Sequence, residues 1–65
     1  MRNRRGQKVA ERLTEEFEYI KTIDDSAHQK VLAYKALGAA DIAVEFGLIT
    51  YNEWEKYVES FFKIV

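Results

Sequence analysis

Sixty-five residues hold one domain at most, and a chain this short buries only about 60% of the surface it exposes when unfolded. A composition of 48% hydrophobic and 14% aromatic residues excludes a disordered tail, and the absence of cysteine excludes disulfide scaffolds and thiolate metal sites. One histidine rules out every metal or catalytic motif that needs two, and three glycines with no proline leave too little turn chemistry for an all-β chain.

The net charge of −1 conceals an asymmetry. Residues 1–8 carry Arg2, Arg4, Arg5 and Lys8 and no acid, whereas residues 9–65 hold all eleven acids against six bases. The chain therefore reads as a basic arm, residues 1–6, leading into one mildly acidic helical domain over 7–65.

The first helix is expected over about 7–21. Val9, Leu13, Phe17 and Ile20 recur at steps of four, four and three and, with Ala10, form a core-facing stripe. Tyr19 stands apart on the polar side of that helix, the place for an exposed aromatic contact.

The second helix is expected over about 26–46. Asp25 or Ser26 caps it, and Ser26 with Gln29 has the form of a capping box. Gly47 ends it, because glycine enters the left-handed conformation at almost no steric cost. This helix is apolar on two sides. Val31, Leu32, Ala39, Ile42, Ala43 and Phe46 share a main face, with Lys35 inside its arc. Tyr34, Leu37 and Val44 form a second stripe, flanked by Lys30 and Asp41. Such a helix is either sandwiched between neighbours or covered by another chain, and the pattern leaves both open. The third helix, about 51–64, has the clearest start: Thr50 and Glu53 form a capping box, and Ile49 and Trp54 a hydrophobic staple. Trp54, Tyr57, Val58, Phe61, Phe62 and Val65 share its apolar face. Three helices with short connections predict an all-α three-helix bundle, or an open three-helix domain completed by dimerisation.

Catalysis is not expected. His28 is the only imidazole for general acid–base work, and capping explains the neighbouring Asp24 and Asp25 without a metal. There is no Glu-x-x-His pair for a bundle metal site and no glycine-rich phosphate loop. No catalytic, cofactor or metal residue is therefore assigned, and no small-molecule substrate. No apolar run nears the roughly 18 residues of a membrane span, so the expected setting is cytoplasmic.

The surplus of apolar surface predicts protein–protein contact, with another protein or as a homodimer. The expected contact residues are Tyr19, Tyr34, Leu37, Asp41, Val44 and Tyr57, since tyrosine offers a large contact area with a polar tip. The alternative is a nucleic-acid-binding accessory protein that uses Arg2, Arg4, Arg5 and Lys8 on phosphates. Against it, the third helix exposes Glu53, Glu55 and Glu59 with only Lys56 and Lys63, a face that phosphates would repel.

Residues 46–54, Phe-Gly-Leu-Ile-Thr-Tyr-Asn-Glu-Trp, resemble the helix–turn–helix of the short C-terminal helical module often called SHOCT; capping physics alone accounts for the likeness. In size and style the chain is similar to phage and mobile-element accessory proteins, including inhibitors of host defence. For an inhibitor, the net −5 of residues 9–65 leads to the expectation that the acidic faces (Glu15, Glu16, Glu18 and Glu53, Glu55, Glu59) compete for a basic nucleic-acid channel.

Overall fold

A computed structural model describes residues 4–65 of the chain. They form three α-helices, α1 (Arg4–Ile20), α2 (Ser26–Glu45) and α3 (Tyr51–Ile64), and each touches the other two in a small three-helix bundle of 38 × 16 × 14 Å. Helix α1 starts at Arg4 rather than at residue 7. Gly6 lies one turn before Ala10 and two before Leu13 on the core side and is buried, so the packed face extends into the expected arm.

The helix ends are closed by local hydrogen bonds. At the end of α1 the Thr22 hydroxyl donates to the Tyr19 carbonyl at 2.6 Å, and the Gln29 amide reaches back to the Ile20 carbonyl at 3.0 Å. Both carbonyls are among those a helix leaves without an internal partner. That use of Gln29 replaces the expected Ser26–Gln29 capping box. Asp25 is the cap instead, its carboxylate accepting the His28 backbone N–H at 2.9 Å. Replacing Asp25 with alanine should cost about 1 kcal/mol, read as a lower midpoint in urea with an unchanged slope.

Between α2 and α3 the chain turns through Gly47 at φ +73°. Leu48 N–H donates to the Ala43 carbonyl at 2.8 Å and Gly47 N–H to the Val44 carbonyl at 3.1 Å, the paired bonds of a Schellman cap. A side chain at residue 47 would face open space, so the backbone angle alone demands glycine. Gly47→Ala should therefore destabilise by about 1–2 kcal/mol, measurable by thermal melting. Helix α3 opens on the expected capping box: Glu53 N–H donates to the Thr50 hydroxyl at 3.1 Å, and Thr50 N–H to the Glu53 carboxylate at 2.8 Å.

The core explains the bundle and corrects the reading of α2. The residues that α2 buries are Ala33, Ala36, Ala40 and Ala43, spaced three, four and three apart along one face. Against this flat strip pack Leu13, Phe17 and Ile20 of α1, Tyr57 and Phe61 of α3, and Ile49 of the connection. The neighbours bring the bulk and α2 supplies the space. The Phe17 and Tyr57 rings stack at 5.6 Å between centroids, nearly parallel, and the Phe61 ring meets Tyr34 edge-on at 4.9 Å. The main face expected for α2 is thereby displaced: of its six members only Ala43 is buried and Leu32 half-buried, while Val31, Ala39, Ile42 and Phe46 are exposed. On α3, Phe61 is buried and Trp54 and Val58 are half-buried, but Phe62 points outward.

Candidate functional site

The turn-by-turn spacing of α2 sets Val31, Lys35, Gly38, Ala39, Ile42 and Phe46 along the side of the helix turned away from the alanine strip. Val31, Ile42 and Phe46 are 57%, 58% and 75% exposed. Ile42 and Phe46, one turn apart, form an exposed apolar pair, and Val31 stands three turns earlier on the same side, beyond Lys35 and Gly38. Gly38 sits mid-row, and a methyl group built there would meet nothing within 4 Å. The surface is open at that point.

Beside this row lies the groove between α1 and α2, about 620 Å³. Val9 and Leu13 of α1 and Ala39 of α2 form its apolar lining, and a smaller hollow of about 250 Å³ that shares Arg12, Leu13 and Ala39 adds Ala36. Its rim is basic: Arg4, Lys8 and Arg12 follow one another at four-residue steps along α1, and the smaller hollow adds Lys35 of α2 and the acid Glu16. The groove on the other side of α1, towards α3, has the opposite character. Glu11, Glu15 and Glu53 line it, with Glu18 and Lys56 further along. Helix α1 thus divides a basic, apolar-floored groove from an acidic one.

Of the expected contact residues, Tyr34, Leu37, Asp41 and Val44 share a surface along one side of α2. Tyr57 is removed from it altogether. It is only 8% exposed, its hydroxyl donates to the Ala10 carbonyl at 2.9 Å and lies 3.1 Å from the Thr14 hydroxyl, and its ring is stacked on Phe17. A buried tyrosine needs such partners for its hydroxyl, and α1 provides both. Leu37 and Val44 are half-buried and pack against the core, so two of the three members of the second stripe of α2 face inward. Tyr34 is 62% exposed and meets the Phe61 ring edge-on. Asp41 accepts the Trp54 indole N–H at 2.7 Å and so ties α2 to α3. Tyr19 is exposed, as expected, on the far side of α1.

Of the basic residues proposed for nucleic acid, Arg2 and the side chain of Arg5 lie outside the described residues. Arg4 and Lys8 sit on helix α1 rather than on an arm, aligned with Arg12. The proposed acidic faces are partly regrouped. Glu15, Glu18 and Glu53 share the α1–α3 groove, Glu16 lies beside the basic groove, and Glu55 and Glu59 are exposed on α3.

Sequence reasoning missed Val31, Ile42 and Phe46 as surface residues because it ranked faces by size of apolar side chain. The signal that would have found them is the alanine run at three–four–three spacing, the pattern of a helix seam. Among the described residues no three histidine or acidic side chains are placed to hold a metal ion, and no helix is long and apolar enough to cross a membrane. Compared with protein-family models, characterised proteins and solved structures, the chain matches none.

Proposed function

We propose that this chain is a non-catalytic protein-interaction module that binds stoichiometrically through the outer face of α2. The observation that carries this reading is the row Val31, Ile42 and Phe46, left in water by a bundle whose core is filled without it. Burying a side chain of this kind fully is worth roughly 1.5–3 kcal/mol, so a partner that covers three of them gains a sizeable share of a binding energy.

A photo-crosslinking amino acid placed at Phe46 or at Glu59 tests it in cells that carry the gene. One discrete adduct from residue 46, absent from residue 59, is expected. Equal labelling from both positions, or none from residue 46, contradicts the reading.

A narrower form of the same reading is a phage or mobile-element accessory protein that inhibits a nucleic-acid-handling protein. Its support is the acidic α1–α3 groove, where Glu11, Glu15, Glu18 and Glu53 present carboxylates along one channel. Reversing Glu11, Glu15 and Glu18, which spares the Glu53 carboxylate that caps α3, should then abolish inhibition while leaving contact through α2 intact.

The competing reading, a nucleic-acid-binding accessory protein, draws on the row Arg4, Lys8 and Arg12. Phosphate contacts of that kind release counterions, so they predict an affinity that falls steeply with salt. The apolar floor between those cations and the exposed Ile42 and Phe46 beside them favour a protein surface instead.

A further inference from the structure

The α1–α2 groove and the exposed row of α2 form a single binding trough, and we infer that its occupant is an acidic amphipathic helix of a partner protein. This rests on the interaction reading above and names the chemistry of the partner.

Ala39 joins the two features, since it lines the groove and precedes Ile42 and Phe46 by three and seven residues on the same side of α2. The trough runs along two packed helices. Such a surface accepts a third helix, ridges into grooves, and its addition to the three already present makes a four-helix arrangement. The floor, Val9, Leu13 and Ala39 with Ile42 and Phe46 alongside, takes an apolar stripe.

The rim selects the charge of the occupant. Along the groove Arg4, Lys8, Arg12 and Lys35 outnumber the acid Glu16, while the exposed Asp41 and Glu45 adjoin Ile42 and Phe46 on the side of α2 away from Ala39. On α1 the cations follow at intervals of four residues, about 6 Å of helix rise. Carboxylates one turn apart on an incoming helix repeat at that same interval, whereas a single anionic headgroup would satisfy only one of the cations. Complementary charge of this kind steers encounter and excludes partners of the wrong sign. The helix-in-groove mode also reads apolar anchors at i, i+3/i+4 and i+7, which the length of α2 accommodates.

The test titrates the whole chain with two labelled 18-residue amphipathic peptides that share a leucine stripe. One carries glutamate beside the stripe and the other lysine. Fluorescence anisotropy reads the affinities, a labelled DNA duplex serves as a third probe, and solution mass is recorded on the same samples. The glutamate peptide should bind at least about tenfold tighter than the lysine peptide, with the gap narrowing as salt screens the rim. The double variant Lys8→Glu/Arg12→Glu, both positions exposed, should invert that preference, and Phe46→Ser should weaken both peptides. Circular dichroism on each variant verifies that the bundle is intact.

Equal binding of the two peptides, or an unchanged preference in the charge-reversed variant, overturns the inference and leaves contact through α2 standing. So does a chain that binds neither peptide but doubles its mass in a Phe46-dependent way, which assigns the trough to a second copy. Salt-sensitive capture of the DNA with neither peptide bound transfers the rim to nucleic acid. A monomer that binds no probe, and whose Phe46→Ser variant behaves identically, sinks both the inference and the interaction reading beneath it.

Discussion

Replacing Phe17 by alanine is expected to leave most of the chain unfolded at 37 °C. Phe17 is 2% exposed and stacks on Tyr57, whose hydroxyl is in turn fixed by Ala10 and Thr14. Truncating a buried phenylalanine costs about 3–5 kcal/mol, the transfer of the ring plus the cavity left behind. A domain of this length has in total only about 3–10 kcal/mol to lose. The cavity cannot collapse easily, because the wall opposite is the alanine strip of α2, which has no longer side chains to move in. Tyr57→Phe separates the contributions. It retains the stack and removes one hydrogen-bonding group, so a loss of about 1–2 kcal/mol is expected. Circular dichroism during urea titration checks both. A Phe17→Ala protein that melts like the parent would place the core elsewhere.

The second large effect runs against intuition about hydrophobic cores: adding apolar bulk to α2 should destabilise it. Ala40 has no exposed surface, and it lies on the face that receives α1 and α3. Ala40→Leu forces three methylene-sized groups between packed helices, and overpacking of this kind costs about 1–3 kcal/mol or more. In a domain of this size each kcal/mol moves the midpoint by roughly 4–8 °C. The same side chain introduced at Ala39, one residue earlier and exposed, should be nearly silent. The pair isolates packing from helix propensity, since leucine and alanine both favour helix.

The elements themselves were largely readable in the sequence, because they rest on local chemistry. The Thr50–Glu53 capping box and the Gly47 stop depend on residues within a turn of one another, and both stand where the pattern puts them. The stripe Leu13, Phe17 and Ile20 was readable for a related reason: α1 has one apolar face and therefore one way to turn. Helix α2 differs because it offers several. Its direction was decided by the shapes of its neighbours, with the aromatic rings of α1 and α3 requiring small residues opposite them. That choice is tertiary. It moved Val31, Ile42 and Phe46 from the expected core to the surface, and it turned Leu37, Val44 and Tyr57 inward from the expected surface. The charge division across α1 was equally hidden. Arg12 and Glu15 are near neighbours in sequence, and only the positions of α2 and α3 assign them to different grooves.

On this reading Val31, Ile42 and Phe46 serve contact and contribute little to the stability of the fold. The most direct measurement is the melting midpoint of Ile42→Ser/Phe46→Ser beside the parent, followed through a dilution series. At concentrations where the parent is monomeric, the variant should melt within about 8 °C of it, as surface substitutions usually cost no more than about half a kcal/mol each. A drop of some 15–30 °C that persists on dilution would show that these side chains hold the bundle together, and the contact surface described above would not exist.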